Sequence, residues 1–469
     1  MASSTANITF GTDGVRGMIA RDFNYDTVRK FAQGIADYIA HKYIRSEKPS
    51  VAVGYDRRFM SDRFAMSLAE VLAANGIKAV VSATPLPTPA LSLATVKDFT
   101  LGVMITASHN PAMYSGIKIK QEGRSAPAAI TAEIENYSSK AVPVRSRGAA
   151  AIEKRDFLKE YCSYIKKKLQ PEKILAKLKG KAVVDFIFGT GAEAACLIDS
   201  PNVVAIRTKH DPLFGGAVPE PLKKNIAPLI EEVKKKKALF GIAMDGDGDR
   251  ISLVTEKGQY LTPCQTAPIL LEYLISKGKF KGKISQSVAM GYLTKRIARA
   301  EKIPFEEAPV GFKFIAEKLL HEGAAFGTEE SGGYAWTGTQ PESDGIVTFL
   351  LVAEMIVSTG KKLSAIAADI EKKYGKSCFG SRDIPLAKAM PNKHSFAVKV
   401  KKKLPKTMLG QKIAETETVD GLKIILENDW WLLMRPSGTE LKMRAYAETE
   451  SETDTEKMLD LACRLAVVK

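Results

Sequence analysis

The sequence predicts an α/β protein: three successive α/β domains with mixed, mostly parallel sheets, then a C-terminal α+β domain, arranged around a central cleft. Three observations predict it. Strand-like apolar runs alternate with helical periodicities, and the alternation restarts twice along the 469 residues. After Tyr374 it gives way to short strands joined by tight turns. Each of the first three units also runs its central apolar strand into a polar loop. The expected domains are 1–150, 151–260, 261–374 and 375–469, within the range of roughly 100–150 residues common for one domain.

In the first domain Val28, Phe31, Ile35 and Ile39 share one face of a helix over 25–43. A strand is expected over 51–54, and Ser61 is expected to cap a helix running toward Asn75. Strands over 79–82 and 101–106 follow. The second domain reads as a helix over 156–169 and strands over 182–186 and 239–244. The third reads as a helix over 265–276 and strands over 284–289 and 324–327. The last has strands over 423–426, 430–434 and 442–447 before a helix over 454–468.

The loops carry the chemistry. LGVMI leads to TASHNP, LFGIAM to DGDGDR and AAFG to TEESGG; in open α/β sheets ligands bind outside the carboxyl ends of the strands. In DGDGDR, residues at i, i+2 and i+4 of a strand point the same way, so Asp245, Asp247 and Asp249 are expected to converge as the chain leaves the strand. Three carboxylates so close repel unless a cation sits among them, and an all-oxygen set selects a hard ion such as Mg²⁺. An EF-hand is excluded. Arg250 stands where that loop needs glycine, and the flanks read as strands.

Ser108 of TASHNP is a candidate nucleophile, although a hydroxyl needs a base, a metal or prior phosphorylation to act as one. Ser-His-Asn-Pro, residues 108–111, also reads as an ordinary turn. RPSGTE has the parts of a phosphate grip: Arg435 offers a bidentate fork, Ser437 and Thr439 add hydroxyls, and Gly438 lets successive N–H groups face one oxyanion. In TEESGG, Glu329 and Ser331 suit neighbouring sugar hydroxyls.

Composition narrows the class further. The net charge of +16 fits nucleic acid, acidic lipid or small polyanions. The lysine runs at 166–168, 234–237 and 401–403 lack interleaved aromatics and read as solvated faces, so neither a nucleic-acid nor a membrane partner is expected. No apolar stretch reaches the roughly 18 residues of a membrane helix, the longest being 346–357. The first ten residues lack the basic and apolar regions of a signal peptide, which points to the cytoplasm. Five cysteines without a CxxC pair suggest neither a disulfide framework nor a thiolate zinc site.

Taken in order, FGTDGVRG (10–17), TASHNP, DGDGDR, VGFK (310–313), TEESGG and RPSGTE resemble the motifs of the α-D-phosphohexomutase family over nearly the whole chain. The resemblance implies transfer of phosphate between C1 and C6 of a hexose phosphate, through a phosphorylated serine, bound Mg²⁺ and hexose 1,6-bisphosphate as intermediate and activator. It makes Ser108 the phosphoserine, which also contributes to a metal site with Asp245, Asp247 and Asp249. Glu329, Ser331 and Lys313 become sugar or substrate contacts. Arg435, Ser437, Gly438 and Thr439 hold the non-reacting phosphate. Arg16, Lys118 and Arg250 match basic positions near the transferred group, and His109 follows the serine as in the family.

Two positions depart from the pattern. Leu441 stands after RPSGTE where proline is usual, and Gly333 where many relatives carry histidine, so any acid or base role passes to His109, Lys118 or His210 or is dispensed with. The TASHNP and EESG forms, with HDPLFGG and PEP (210–216 and 219–221), resemble the phosphoglucomutase and phosphomannomutase branch, with glucose first, whereas FGTDGVRG is common among phosphoglucosamine mutases. Two other classes compete. A Mg²⁺-dependent sugar phosphatase has no need of RPSGTE, and a non-catalytic basic anion-binding protein leaves the polar loops idle.

Overall fold

The computed structural model describes residues 10–466 except 12, 44–48, 145–151, 279, 388–389, 391 and 438–440. The chain divides into two compact units. One comprises Met1–Thr262, Gly311–Gly327 and Ser331–Ser364; the other comprises Pro263–Val310, Thr328–Glu330 and Ala365–Lys469.

The first unit opens with strands β1 (Val15–Met18), β2 (Ser50–Tyr55), β3 (Lys78–Ser82), β4 (Leu101–Ile105), β5 (Tyr114–Gln121), β6 (Arg124–Ser125) and β7 (Glu153–Arg155). They form one sheet in the order β1-β5-β4-β2-β3-β7, with β6 on β5. The sheet is mixed: β4, β2, β3 and β7 run parallel, and β1, β5 and β6 pair antiparallel. Helix Tyr25–Lys42 buries Val28, Phe31, Ile35 and Ile39 as the periodicity predicts, and Asn24 caps it by accepting from the Thr27 N–H at 3.0 Å.

Helix Ser61–Ala74 starts differently from expectation. Met60, at φ +61°, occupies the cap position, and no side chain caps the helix. Ser61 is its first residue and donates its hydroxyl to Asp56 Oδ1 at 2.7 Å, a buried carboxylate that outcompetes the helix end.

A second sheet in this unit runs β12 (Tyr260–Leu261), β11 (Ile251–Thr255), β10 (Phe240–Met244), β8 (Ala182–Asp185), β9 (Val203–Ile206). Strands β8, β9 and β10 are parallel, and β10 returns antiparallel into β11, pairing Met244 with Ile251. DGDGDR is therefore the turn between β10 and β11. Both strands are buried along their whole length, so the turn is carried on a rigid base.

The stretch 263–364 alternates again, with strands β13 (Lys283–Ser287), β14 (Phe305–Ala308), β15 (Ala324–Thr328) and β16 (Tyr334–Trp336), of which β13 and β14 pair in parallel. Helix Gly345–Thr359 carries the longest apolar run and is buried within the fold. No helix among the described residues is long and apolar enough to cross a membrane.

The second unit ends in a six-stranded antiparallel sheet. Its order is β17 (Cys378–Pro385), β22 (Lys442–Thr449), β21 (Trp431–Pro436), β20 (Leu422–Leu426), β19 (Gln411–Glu417), β18 (Thr407–Met408). Helices Lys393–Lys401 and Glu452–Ala466 pack on it through Phe396, Ala397, Val400, Met458, Leu459 and Ala462, the α+β arrangement expected of the C-terminal part.

Candidate active site

Strand β4 is buried at every residue and delivers the chain into the serine loop at its carboxyl end. Ser108 is fully buried and adopts φ +52°, a left-handed backbone uncommon for a residue with a Cβ. Its N–H donates to Thr106 Oγ1 at 2.9 Å. Arg58 holds the rest of the loop. Its Nη2 donates to the carbonyls of Ser108 and Asn110, both at 2.6 Å, and Nη1 to those of Pro111 and Tyr114 at 2.7 and 3.0 Å. The buried Asp56 carboxylate accepts from Arg58 Nε at 3.0 Å and fixes the fork.

The aspartate turn meets this loop. Ser108 Oγ donates to Asp245 Oδ2 at 2.8 Å. A Cβ placed on Gly246 would lie 2.5 Å from the Ser108 carbonyl oxygen, so glycine is what lets the two backbones touch. Gly248, at φ +74°, turns the chain back. The three carboxylates converge through this turn, and the strand alternation expected from the sequence is not the cause. Asp245 Oδ1 accepts from the N–H groups of Asp249 and Arg250 at 3.1 and 3.2 Å, and Asp247 Oδ2 accepts from Thr88 Oγ1 at 2.5 Å.

Lys118, on β5, is the internal counter-ion. Its Nζ lies 2.7 Å from Asp13, 2.9 Å from Asp247 and 2.9 Å from Asp249. Burial opposes its charge, but those carboxylates hold it well above the usual lysine range. Burial lifts Asp247 as well, yet Lys118 and Thr88 bring it below the ordinary aspartate value. Asp245 is pushed well up, by burial and then by the charges of Asp249 and Asp247.

The donor set fits a hard cation. One carboxylate oxygen from each of Asp245, Asp247 and Asp249 lies within 4.8 Å of the others. Among the described residues Asp247 Oδ1 and Asp249 Oδ1 are buried with no hydrogen-bond partner, Asp249 Oδ1 having only Arg250 Nε at 3.9 Å, an arrangement that favours a cation between them.

The basic residues ring the serine. Arg16 donates to Asn110 Oδ1 at 2.7 Å. Arg250 Nη1 lies 2.7 Å from His109 Nδ1, which is 3.4 Å from Ser108 Oγ. Burial, and then Arg250, Arg16, Lys118 and Arg58, hold His109 well below the usual imidazole range, so the ring is neutral and its Nδ1 accepts from the guanidinium. His210 is exposed.

The other expected residues sit as follows. Lys313 is in the first turn of helix Phe312–His321, where burial lowers its ammonium despite the Asp13 charge. Ser331 is half-buried in the same unit. Gly333 is tightly packed, since a Cβ there would lie 3.0 Å from the Phe312 ring, and a histidine has no room without moving it.

In the other unit, Glu329 is buried and Arg435 donates its Nε to Asp420 at 2.7 Å. Asp420 also takes Lys393 and accepts from the Val310 N–H at 3.1 Å. The Ser437 N–H donates to the Lys442 carbonyl at 2.9 Å. Gly438 and Thr439 lie outside the described residues.

Sequence reading missed Asp56, Arg58, Thr88, Asp13 and Asp420. The signal for the first two was present: YDRR follows a buried strand, and like TASHNP it leaves the carboxyl end of a strand with charge that must be paired.

Comparison with known proteins covers the same ground. Four families described as domains I, II and III and the C-terminal domain of phosphoglucomutase/phosphomannomutase match residues 7–143, 159–258, 262–374 and 392–464. A phosphoglucomutase/phosphomannomutase of Thermococcus kodakarensis is 29% identical, over 97% of this chain and 98% of its own. A phosphoglucosamine mutase of Carboxydothermus hydrogenoformans is 30% identical, over 96% and 97%. The crystal structure of a Thermus thermophilus protein provisionally named a phosphomannomutase superposes with a TM-score of 0.84 at 30% identity, covering 98% of this chain and 99% of that one.

Proposed function

The chain belongs to the phosphoglucomutase/phosphomannomutase family and is an intramolecular phosphotransferase, and from that premise we propose that it interconverts hexose 1-phosphate and hexose 6-phosphate, with glucose and mannose as the first sugars. The observation that carries this reading is the contact between Ser108 Oγ and Asp245 at 2.8 Å, inside a buried site lined by Lys118, Arg250, Arg16 and His109.

Ser108, as its phosphate ester, passes the phosphoryl group to the free hydroxyl of a bound sugar phosphate. The Oγ–P bond breaks as the sugar O–P bond forms, giving the hexose 1,6-bisphosphate, which also primes the unphosphorylated enzyme. The bisphosphate turns over and returns its other phosphate to the serine. A divalent ion such as Mg²⁺, held by Asp245, Asp247 and Asp249 with the Ser108 oxygen, would neutralise charge on the transferring group. Lys118, Arg250 and Arg16 spread positive charge around the equatorial oxygens, where electrostatic stabilisation contributes most. Lys118, held as the ammonium, serves as donor only, which leaves any proton-accepting role at the transferred hydroxyl with His109 or His210, or with no residue of the chain.

Glu329, Ser331 and Lys313 read the sugar. Arg435, oriented by Asp420, grips the far phosphate together with Ser437, Gly438 and Thr439.

A second reading has a specific observation in its favour: relatives named phosphoglucosamine mutase match at 30% identity, the same level as those named for glucose and mannose. Turnover of glucose, mannose and glucosamine 1-phosphates, side by side with a trace of bisphosphate, separates the two. Ser108→Ala is expected to abolish turnover of every one of them while sugar-phosphate binding stays within a few fold; full activity in that variant removes the serine from the mechanism.

A further inference from the structure

Away from the reacting groups, two of the five cysteines are neighbours. Cys162 lies on helix Phe157–Leu169 and Cys196 on the 3₁₀ helix Thr190–Leu197. The Cys196 thiol donates to the Cys162 sulfur at 3.4 Å, across 34 residues of sequence. Cys196 is exposed and Cys162 buried. Burial, and then the Cys196 sulfur, push the Cys162 thiol up to about 12. Because Cys196 is the exposed sulfur an oxidant meets it first, and Cys162, 3.4 Å behind it, is placed to close the bond even though its raised pKa slows that step.

Both helices are tied to the aspartate turn. Thr190, the first residue of the Cys196 helix, donates its N–H to the Gly246 carbonyl at 3.0 Å, and its hydroxyl reaches the same oxygen at 3.3 Å. Tyr161, beside Cys162, donates to the two Asp344 oxygens at 3.0 and 2.8 Å. Asp344 caps helix Gly345–Thr359 through the Val347 N–H, and the Gly345 N–H donates to the Gly248 carbonyl at 3.0 Å. Two short hydrogen-bonded paths thus lead from the paired sulfurs to the two glycines that space the aspartates.

We propose that Cys162 and Cys196 are a peroxide-sensitive dithiol whose closure to a disulfide weakens cation binding by Asp245, Asp247 and Asp249. The Cys196 thiolate attacks hydrogen peroxide, the O–O bond breaks, and a sulfenic acid and hydroxide result. The Cys162 sulfur then attacks the sulfenic sulfur and the S–O bond breaks. Its hydroxide leaves as water with the Cys162 proton, and two electrons have passed from the thiols to the peroxide. Closure shortens the sulfur separation from 3.4 Å to about 2.0 Å. Packed helices pass such a shift on to what they touch. A small divalent ion needs near-ideal oxygen geometry, so the displaced turn binds it less well. The disulfide half of this inference stands on the thiol geometry alone; the second half rests on the metal reading above.

The test uses the full chain, metal-free and without sugar. It is treated with stoichiometric hydrogen peroxide, quenched, mapped by peptide mass and titrated with Mn²⁺ by electron paramagnetic resonance. Two of the five thiols should disappear, in a single cross-link joining the Cys162 and Cys196 peptides. Mn²⁺ affinity should fall about tenfold and return on reduction. Cys196→Ser, at an exposed position, should keep its Mn²⁺ affinity through the same treatment. Absence of the cross-link overturns the proposal, as does a cross-linked chain that binds Mn²⁺ unchanged. Failure of the mutase reading looks different: reduced chain that binds Mn²⁺ yet turns over no hexose phosphate, with the thiol result intact.

Discussion

Replacing Arg58 with methionine removes the hub of the serine loop while keeping much of its volume. Arg58 is 3% exposed, and its guanidinium serves four carbonyls as well as the Asp56 carboxylate. Burial already lifts Asp56 above the ordinary aspartate value with Arg58 beside it, so without that partner the carboxyl must stay protonated or bring water in. Breaking one side of a buried ion pair costs about 3–5 kcal/mol. Each carbonyl left without a donor adds about 1–3 kcal/mol before relaxation.

These losses overlap, because relaxation and water entry serve several groups at once. The expected net cost is about 4–6 kcal/mol, comparable with the whole stability of a marginal domain. Urea unfolding followed by circular dichroism measures it on the first transition. Adding Asp56→Asn to Arg58→Met removes the stranded charge and should recover about 2 kcal/mol. Arg58→Lys, which keeps the charge but reaches fewer carbonyls, should fall between parent and methionine. A single variant within about 1 kcal/mol of the parent, or a double variant no better than the single, refutes the role given to Arg58.

Gly246→Ala places a methyl 2.5 Å from the Ser108 carbonyl and should lower kcat about a hundredfold by parting the two loops; turnover within a few fold of the parent says that the loops need not touch. Asp247→Asn should raise the Mg²⁺ concentration for half-maximal activity about tenfold or more, and an unchanged magnesium titration refutes the metal assignment. Asp344 gives a pH signature, because burial raises its carboxyl to about 6 from an unfolded value near 3.8. The folded chain binds the extra proton, so this contribution is whole below about pH 4 and is lost as pH rises through 6. Asp344→Asn lacks that titration, and its stability relative to the parent should climb by about 2.4 kcal/mol between pH 4 and 7; a flat difference across that range removes the shift.

What the sequence disclosed was local. Runs such as LGVMI and FGIAM, apolar throughout and closed by polar loops, become strands β4 and β10 because that burial pattern is written in consecutive residues. Strand β5 was not recognised. Its YSGIKIKQ alternates as a half-exposed strand would, yet Lys118 and Lys120 are 1% and 0% exposed because carboxylates from distant segments, Asp247 and Glu342 among them, receive them.

Ser61 failed as a cap for a similar reason: Asp56, five residues back, offers a buried acceptor. Thr88 and Arg58 act on partners up to 159 and 56 residues away, and Cys162 faces Cys196 across 34. No spacing rule reaches such pairs, since only the sheet order brings them together.

The backbone of Ser108 has a consequence for anyone improving this protein by directed evolution. At φ +52° the position suits a residue without a Cβ, so glycine would relieve about 1 kcal/mol of conformational strain. A library ranked on thermal endurance alone would drift toward Ser108→Gly and return hardier molecules stripped of the hydroxyl proposed to carry the phosphate. Any such campaign has to screen for turnover in the same round, because at this residue robustness and chemistry pull in opposite directions.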